Sequence, residues 1–349
     1  MHLHRTVLFL LFAGILASCS KKETTATSST TGTLDTTQKA ESVAITDTNH
    51  HLMFHPKVGS VQRYHIIDKM SMSASDAGSG GTPMKHSASS TTEFYLHHTV
   101  KSIGKDSSVD LVFQVDSIQM TSQRDTETVH YSSTNPNDAK NDEYREFNIL
   151  LGKNFTIRTN KYGDLDSMLD VSSIVNELLV KVPDTDRTKP IVRQYATEQA
   201  EEVANAYVMR VLVHDPIHAL KADTTWRDST DMNLDVAPGL SFPVHIDGSE
   251  TVRGLEKRGD RVLAVLEDNR STTPRQRVLD QGPAKATIDN FVATSHSVVR
   301  IEDGTGLLVQ RLMQEKRNFT LVVESKQHPG EKRSITQTGS EELMTELLP

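Results

Sequence analysis

The stretch Glu93-Phe94-Tyr95-Leu96-His97-His98-Thr99-Val100 alternates between two kinds of side chain, with Phe94, Leu96 and Val100 on one parity. A turn at Gly104-Lys105-Asp106 follows, and Val109, Leu111, Phe113 and Val115 then repeat the alternation. A period of two is typical of a strand with one buried face, and two such runs joined by a short turn predict a β-hairpin. This hairpin decides the fold class, because the same pattern recurs along most of the chain.

The alternation extends outward from the hairpin in both directions. Tyr64, Ile66, Met70 and Met72 share one parity before it, and after it the alternating apolar residues are Phe242, Val244, Ile246, Phe319, Leu321 and Val323. We therefore predict a mainly β (α+β) fold with one or more large antiparallel sheets, arranged as a sandwich or a curved half-barrel. Two local predictions are a strand over residues 147–151 and a short helix over residues 341–348.

Helical spacing replaces the alternation in the middle of the chain. Within residues 171–182, the apolar positions with this spacing are Ile174, Val175, Leu178, Leu179 and Val182. Pro190 begins a longer helix, whose apolar stripe we assign to Val192, Tyr195, Ala196, Gln199, Val203, Ala206, Tyr207 and Val211, with Glu198, Glu201, Glu202 and Asn205 opposite in water. Such an amphipathic pattern predicts a helical insert around residues 170–214 that covers the sheet.

Two short segments recur on either side of the helices. Thr99-Val100-Lys101-Ser102-Ile103-Gly104-Lys105 resembles Thr251-Val252-Arg253-Gly254-Leu255-Glu256-Lys257, and Ile157-Arg158-Thr159 resembles Val299-Arg300-Ile301. We predict two similar β units, residues 58–168 and 236–338, that flank a helical segment of residues 169–222. Chance similarity is the alternative, because turns favour Gly and Asp and pleating imposes alternation in any hairpin.

The N-terminus carries an apolar run, residues 7–17, between Arg5 and Cys19. This run is shorter than the roughly 20 residues that a membrane-spanning helix needs, and it suits the apolar core of a signal peptide. Leu16-Ala17-Ser18-Cys19 resembles the lipobox of bacterial outer-membrane lipoproteins. The resemblance implies a lipoprotein signal peptide over residues 1–18, acylation of Cys19 with chains such as palmitate, and a location at the outer membrane, on its periplasmic face or at the cell surface.

Residues 19–49 are rich in Ser and Thr and have little apolar surface, so we predict a disordered tether before a β-rich domain of residues 50–349. Cys19 is the only cysteine, so a chain acylated there has no thiol for a disulfide, a metal site or nucleophilic catalysis. The chain also resembles uncharacterised β-rich envelope lipoproteins, a domain family of unknown function, whose first strand contains a tyrosine, here Val61-Gln62-Arg63-Tyr64.

No catalytic residue, metal ligand or cofactor site is predicted. Gly239-Leu240-Ser241-Phe242-Pro243 lacks the final glycine of a nucleophile elbow, and Pro216 breaks the helix that would make His214 and His218 metal ligands. The other weak candidates are His50, His51 and His55, the pair Asp164 and Asp166, and the pair Asp184 and Asp186. The net charge is −8, and Lys and Arg are scattered, so nucleic acid is not expected as a partner.

We therefore expect a non-enzymatic envelope protein that is held at the membrane by acylated Cys19 and binds a lipid, a small hydrophobic ligand or another envelope protein. One alternative is a structural or assembly lipoprotein without a ligand. A further alternative is a hydrolase built from residues distant in sequence, such as His214 or His218 with Asp215 or Asp231.

Overall fold

A computed structural model describes residues 40–45, 51–77, 84–141, 144–180, 182–183, 188–213, 220–237, 240–281, 284–327 and 332–349. The predicted signal peptide, Cys19 and most of the predicted tether lie outside these residues. No helix within the described ranges is long and apolar enough to cross a bilayer.

Strands form most of the described structure. They are β1 (Glu41–Val43), β2 (Val61–Ala77), β3 (Met84–Ile103), β4 (Val109–Arg124), β5 (Glu127–Ser132), β6 (Asn154–Thr159), β7 (Leu165–Asp170), β8 (Thr225–Ala237), β9 (Leu240–Arg258), β10 (Arg261–Pro274), β11 (Val278–Gln281), β12 (Ala284–Glu302), β13 (Leu308–Ser325) and β14 (Lys332–Leu347). The helices are α1 (Arg145–Asn148), α2 (Ser172–Leu178) and α3 (Lys189–Val211), with a 3₁₀ turn at Asp138–Lys140.

All of these strands belong to one antiparallel sheet in the order β1-β9-β10-β12-β13-β14-β2-β3-β4-β6-β7, with β5 beside β4, β8 beside β9 and β11 beside β12. The last strand, β14, pairs with the long early strand β2, so the two halves of the chain form one continuous sheet. The predicted β-hairpin is β3 and β4, in which Leu96, Val100, Leu111 and Phe113 are all buried. The mainly β, antiparallel fold class is thus confirmed, with one large sheet instead of two packed layers.

The sheet bends around its helices. Phe113 in β4, Leu266 in β10 and Val208 in α3 belong to one apolar core. β4 and β10 are six strand-to-strand steps apart in the sheet order. That separation is roughly 30 Å in a flat sheet, whereas a helix with its side chains is only about 10 Å wide. Both strands reach the same core only because the sheet curves, and we call the side that carries α3 the concave face.

A short extended segment closes one end of the curved sheet. The backbone N–H of Phe54 donates to the carbonyl of Lys161 at 3.0 Å, and that of His55 donates to Thr305 at 2.8 Å. The segment therefore crosses from the β6–β7 turn to the β12–β13 turn, and it buries Leu52 and Phe54 beneath it. In the β6–β7 turn Gly163 has φ +80°, and a Cβ there would collide with the carbonyl of Val213, so the close approach of the chain after α3 requires glycine.

α3 packs on the concave face through small residues and one buried ion pair. Ala196, Ala200 and Ala204 lie on its inner side and are buried. Arg210 is 8% exposed and donates to Asp68 in β2, 3% exposed, with Nη2 and Oδ2 2.6 Å apart. The Arg210 guanidinium also lies 5.2 Å from the centre of the Phe94 ring. A charge this deeply buried is tolerated only with a partner, so the pair sets where the helix lies.

The C-terminal end of α3 is capped by side chains of the sheet. Arg311 in β13 donates to the carbonyls of Met209 and Leu212, each at 2.8 Å, and the Thr345 hydroxyl donates to the carbonyl of Arg210 at 3.1 Å. The last carbonyls of a helix have no partner within the helix, and a positive side chain there also opposes the helix dipole. These contacts connect α3 to β13 and β14.

Two local predictions are wrong. Residues 147–151 do not form a strand: α1 ends at Asn148, and Leu151 forms only an isolated bridge with Val115. Residues 341–348 do not form a helix, because they continue β14 as far as Leu347. Leu343, Thr345 and Leu347 are buried at alternate positions, as in a strand with one buried face. The charged residues near them obscure this period of two in the sequence.

The helical insert is confirmed, but its exposed side was assigned wrongly in part. Tyr195, placed on the apolar stripe, is 67% exposed, whereas Asn205, placed in water, is 4% exposed. The helix is half-covered at its start and more deeply buried at its end, where Tyr207, Val208, Arg210 and Val211 are buried and Met209 is 42% exposed. A single amphipathic stripe describes only a helix with the same surroundings along its length.

The predicted tether also ends earlier than its assigned limit. β1 (Glu41–Val43) pairs with Leu255, Glu256 and Lys257 of β9, so this part of residues 19–49 belongs to the sheet. Val43 and Ile45 pack against the apolar core. The exposed edge of β9 offers free backbone groups, and these two apolar side chains make the pairing favourable.

The internal duplication stays a prediction, and one structural observation bears on it. Lys101 in β3 and Arg253 in β9 are both skipped in the strand register, which marks a β-bulge at each. The sequence separation between Lys101 and Arg253 equals that between Thr99 and Thr251, which begin the first pair of similar segments. A β-bulge changes the direction in which the following side chains point, and it is a feature of the fold and not a consequence of the turn residues.

The buried ion pair gives a test of the packing of α3. Arg210→Met keeps much of the apolar contact but leaves Asp68 buried and unpaired, so we expect the free energy of unfolding to fall by about 3–5 kcal/mol. Urea unfolding followed by circular dichroism measures it. The double variant Asp68→Leu/Arg210→Met should recover most of this loss.

The matched control is the exposed pair of Glu324 and Lys332, whose charged atoms are 3.6 Å apart. Glu324→Gln should change the free energy of unfolding by less than about 1 kcal/mol. Equal losses at the two sites would show that the Asp68–Arg210 pair does not hold α3.

Candidate functional site

The strand register arranges the side chains of the concave face in rows that run across the sheet. One row, beneath the end of α3, is largely apolar and contains Ile118, Phe94, Ile66, Thr345, Arg311, Val299, Leu266 and Val252. Four residues farther along each strand the row is Ser122, Ser90, Met70, Glu341, Glu315, Ser295, Arg270, Gly248 and Asp228. The concave face thus changes from apolar to polar along the strands.

We call the polar zone of the concave face the polar belt. It consists of Asp228, Glu250, Asp268, Arg270, Ser295, Glu315, Arg317 and Glu341, which lie on one face by register and span β8, β9, β10, β12, β13 and β14. A second apolar cluster lies beyond it, around Phe242, Ile288, Phe319 and Leu321. The polar belt therefore separates two apolar regions of the concave face.

An ion-pair network occupies the β8–β10 side of the belt. Arg270 Nε donates to Asp268 at 2.8 Å, and Nη1 donates to Asp228 at 3.3 Å, reaching over Gly248 in the intervening strand. A Cβ at position 248 would collide with the Asp228 carboxylate, so glycine leaves the space for this bridge. Burial acts to lower the pKa of Arg270, but the two carboxylates outweigh it and the pKa is raised. Arg270 is therefore a fixed cation.

A cavity opens on the β13–β14–β2–β3 side of the belt. Its volume is about 30 Å³, and it is lined by Met70, Ser71, Met72, Ala88, Glu315, Arg317, Gly339, Ser340 and Glu341. An adjoining groove of about 600 Å³ shares Met72, Ala88, Arg317 and Gly339, but its other side chains, including Ser73, Ser87, Gln123 and Asn318, lie on the opposite parity and so belong to the convex face. Ligand sites commonly measure about 300–1,000 Å³ and combine apolar walls with a few polar groups.

Arg317 lies where the apolar and polar parts of this site meet. Its guanidinium is 6.0 Å from the centre of the Phe319 ring. Burial lowers the pKa of Arg317, and the negative charges of Glu315 and Glu341 act in the opposite direction. The cavity is therefore partly desolvated, and charges inside it interact more strongly than they would in water.

Two buried polar atoms of the belt lack a hydrogen-bond partner among the described residues: Ser295 Oγ and Asp268 Oδ1. Ser295 is 8% exposed and is paired in register with Arg270 on one side and Glu315 on the other. A buried polar atom without a partner costs free energy, so such atoms mark places where water or a ligand group supplies the bond.

The convex face carries its own titratable clusters. The Nε2 of His65 and the hydroxyl of Tyr95 both lie near Glu93 Oε1, at 2.7 and 3.0 Å, and the two rings stack at 4.6 Å. His245 Nδ1 is 2.7 Å from Asp231 Oδ1, and the hydrogen bond from His245, assisted by Arg275, lowers the pKa of Asp231. Both clusters lie on the opposite parity to the polar belt, so they do not contribute to the cavity.

Within the part of the chain that the structure describes, the weak sequence candidates do not come together. His51 and His55 are exposed in an extended segment, and Asp164 accepts a hydrogen bond from Asn160 at 2.8 Å in a turn. Asp231 pairs with His245 on the convex face. Cys19, His50, Asp184, Asp186, His214, Asp215 and His218 lie outside the described residues. Within the described part of the chain, no group of His, Asp and Glu side chains has the arrangement of a metal site.

The cavity residues were missed because they come from four strands. Met70 and Met72 were correctly assigned to the buried parity of their strand, but no role followed from parity alone. Glu341 lay in the segment predicted as a helix, so its place beside Glu315 was not visible. One signal in the sequence could have placed Glu341 in a strand: apolar and polar residues continue to alternate after Ser340.

Comparisons with known proteins give a family match over part of the chain. A model described as a family of unknown function, DUF6263, matches residues 106–242. The match agrees with the predicted resemblance to a β-rich family of unknown function, and it does not include the lipobox residues. No curated protein matches the chain.

Solved structures show only distant likeness. Lipovitellin is 10% identical with a TM-score of 0.36, over 84% of this chain and 25% of its own, so this chain spans a quarter of its length. A loop-deletion form of OmpT, an outer membrane protein of Vibrio cholerae, is 8% identical with a TM-score of 0.18, over 82% of this chain and 100% of its own. A DUF1329 family protein from Desulfovibrio piger is 9% identical with a TM-score of 0.11, over 78% of this chain and 83% of its own. These scores support no functional argument.

Away from the cavity, one buried titratable group of the concave face predicts how stability depends on pH. Burial lowers the pKa of His98 from 6.5 to about 3, with a smaller contribution from His97. The ring lies between Tyr64 and Phe113, with centroids 5.6 and 5.0 Å away. Because the folded-state pKa is below the unfolded one, the neutral ring stabilises the fold above pH 6.5, and this contribution is lost as the pH falls towards 3.

His98→Phe removes this titration. Between pH 6.5 and 4.5 we expect the wild type to lose about 2–3 kcal/mol more unfolding free energy than the variant. Urea unfolding at several pH values measures it. His51→Phe, at an exposed position, is the control and should follow the wild type. Parallel pH curves for wild type and His98→Phe would contradict the prediction.

Proposed function

We propose that this chain is a non-enzymatic, lipid-anchored envelope protein that binds a lipid or another small hydrophobic molecule on the concave face, at the cavity beside the polar belt. The observation that carries the proposal is this cavity, which is lined by Met70, Met72 and Ala88 together with Arg317. An apolar wall with a charged group at one end suits a ligand that has an apolar body and a polar end.

The chemistry of the cavity walls supports a flexible apolar ligand. Met70 and Met72 contribute unbranched, polarizable side chains that adapt to different apolar shapes. The nearby Ser71 and Ser340 hydroxyls already bond each other at 2.8 Å.

The proposed location follows from the N-terminus. In this proposal Cys19 is acylated and the chain is held at the outer membrane by residues 20–39, with β1 as the first strand of the folded part. Such an anchor places the cavity near a lipid surface without a membrane-spanning segment.

A protein partner is the second candidate. Ile191 and Tyr195 lie one turn apart at the start of α3 and are 58% and 67% exposed. Aromatic and aliphatic side chains exposed together on one helix face are typical of a contact with another protein. The partner would in this case be another envelope protein.

The cavity gives a direct test. A Cβ at Gly339 would lie 3.5 Å from the Ser71 carbonyl, an ordinary contact, so Gly339→Leu is tolerated by the backbone and fills the cavity, which Gly339 lines. We expect it to weaken binding of the apolar fluorescent probe N-phenylnaphthylamine at least about tenfold, through lost contact and lost volume. The measurement is a fluorescence titration of the Cys19→Ser chain, which lacks the proposed acylation site.

Thr336→Leu is the matched control, because it adds a similar side chain to the exposed opposite face of β14. It should leave probe binding unchanged. No saturable binding by the unsubstituted chain, together with a ligand-free mass in native mass spectrometry after incubation with envelope lipids, would overturn the proposal.

A further inference from the structure

We infer that this chain forms a dimer in which β8 pairs antiparallel with β8 of a second copy. The inference goes beyond the proposed function, because the surface that carries it is an edge of the sheet and not the cavity. β8 (Thr225–Ala237) lies beside β9, and the short strand β1 continues the same edge along β9. Among the described residues no strand pairs with the outer side of β8.

The backbone of β8 presents free hydrogen-bonding groups along this edge. The N–H of Val252 in β9 donates to the carbonyl of Thr224 at 3.0 Å, and β8 then pairs with β9 without a register shift from Thr225 to Asp235. Alternate residues of an antiparallel strand direct their backbone groups to opposite sides. Even-numbered residues therefore bond to β9, and the N–H and C=O groups of the odd-numbered residues from Thr225 to Asp235 point outward.

The edge at the opposite end of the sheet order is less suited to such pairing. β7 (Leu165–Asp170) has only 6 residues, and two register shifts interrupt its pairing with β6. Short and irregular edge strands protect a sheet against pairing with another chain. β8 has 13 residues and no proline, and its single register shift lies at its end, between Asp235 and Ala237. β8 is therefore the longer and more regular of the two edges.

The sequence of β8 selects a register with a second copy. Complete overlap would place Asp231 opposite Asp231 of the second copy, and like charges directly opposite each other are destabilising. A two-fold axis at Thr230 instead pairs residues 225–235 with the same segment of the second copy, and Thr230 then faces Thr230, a favourable cross-strand pair. An axis at Met232 would bring the register shift of β8 into the interface.

On the convex side this register places an unpaired cation near two carboxylates. Arg227 and Asp235 are exposed, and neither forms an ion pair with any other described residue. In the dimer Arg227 faces Asn233 of the second copy and lies diagonal to Asp231 and Asp235 of that copy, within the reach of a long side chain. The two-fold axis repeats the arrangement, so the charges of one copy complement those of the other.

Asp231 is ionised and exposed at the place where this contact forms. Its Oδ1 lies 2.7 Å from His245 Nδ1 and accepts a hydrogen bond from Arg275 Nε at 3.0 Å, and these contacts lower the pKa of Asp231. The Asp231 side chain is 65% exposed, and neither contact uses its Oδ2. Ser229 of the second copy lies directly opposite Asp231 in the inferred register, so its hydroxyl can donate to this carboxylate.

On the concave side the dimer covers apolar side chains that a single copy leaves partly exposed. Trp226 packs against the core beneath α3, and Leu234 packs against the second apolar cluster. Each is only half-buried at the edge. In the inferred register Trp226 faces Leu234 of the second copy, so pairing removes apolar surface of both from water. Residues directly opposite each other project to the same face, so both concave faces lie on the same side of the joined sheet.

Disulfide formation at the two-fold axis tests the register. Cys19 is the only cysteine, so the full Cys19→Ser chain with Thr230→Cys has a single thiol. Residue 230 belongs to a non-hydrogen-bonded pair of the dimer, whose Cα atoms are about 4.5 Å apart, within the range that a disulfide spans. We expect most of the chain to migrate as a covalent dimer in non-reducing gel electrophoresis after mild oxidation.

Met232→Cys in the same background is the matched control, because it changes the next residue on the same face of β8. In the inferred register the two copies of residue 232 are four positions out of step, about 13 Å apart along the strands. It should give little covalent dimer. Cross-linking at residue 232 that equals or exceeds cross-linking at residue 230 would overturn the inference.

Sedimentation velocity measures the dimer without cross-linking. A strand-to-strand interface is small and therefore weak, so the full Cys19→Ser chain is measured up to about 100 μM, and a dimer that grows with concentration is expected. Ser229→Pro removes a central outward N–H and leaves the bonds to β9 in place, as proline at an edge strand permits. It should raise the dissociation constant at least about tenfold, with an unchanged circular dichroism spectrum.

A charge exchange tests whether the second copy is the partner. Arg227→Asp places another carboxylate near Asp231 and Asp235 of the second copy and should weaken the dimer at least about tenfold. Arg227→Asp/Asp235→Arg again places opposite charges diagonal to each other and should recover part of this loss. Arg193→Asp, at an exposed position on α3, is the control and should leave the dimer unchanged.

The outcomes separate this inference from the proposed function. A monomer at every concentration, with no covalent dimer from Thr230→Cys, would overturn the dimer and leave the cavity proposal untouched. A dimer that persists in both Ser229→Pro and Arg227→Asp would use another surface, such as the exposed Ile191 and Tyr195 on α3, and would also overturn the inference.

Discussion

The buried ion pair between Arg210 and Asp68 is the contact on which the concave face depends. It joins the end of α3 to β2, a strand near the middle of the sheet order. Arg210 is 8% exposed and Asp68 is 3% exposed. Charges buried this deeply are tolerated only because they are paired. Arg311 and Thr345 complete the attachment by binding the carbonyls at the end of the helix. The helix therefore has a defined depth in the curved sheet.

The depth of α3 divides the concave face into two functional parts. Beneath the helix the face is closed by apolar packing, with Val208, Phe113 and Leu266 in one core. Farther along the strands lie the polar belt and the cavity beside Gly339. The convex clusters around Glu93 and His245 lie on the other side of the sheet and have no part in the site.

Much of the fold follows from local pattern. The β3–β4 hairpin, the antiparallel class, and helices near residues 171–182 and from Pro190 onward were all predicted from periodicity, because a period of two or 3.6 is a local consequence of which face is buried. The failures occurred where the pattern was mixed. Residues 341–348 carry Glu341, Glu342 and Glu346 among apolar residues, and only pairing with β2 and β13 makes their alternation meaningful. Asn205 was misplaced because the surroundings of α3 change along its length.

The sequence by itself determined the alternation of the strands, the position of the helices and the resemblance of Leu16-Ala17-Ser18-Cys19 to a lipobox. Only the tertiary structure decided the candidate site. Met70, Ala88, Glu315 and Glu341 lie on four strands, and the segments that carry them are up to 271 residues apart in the chain, since Glu341 faces Met70 across β14 and β2. Register between distant strands depends on the whole sheet and on the helix around which it bends, and neither is encoded in any one stretch.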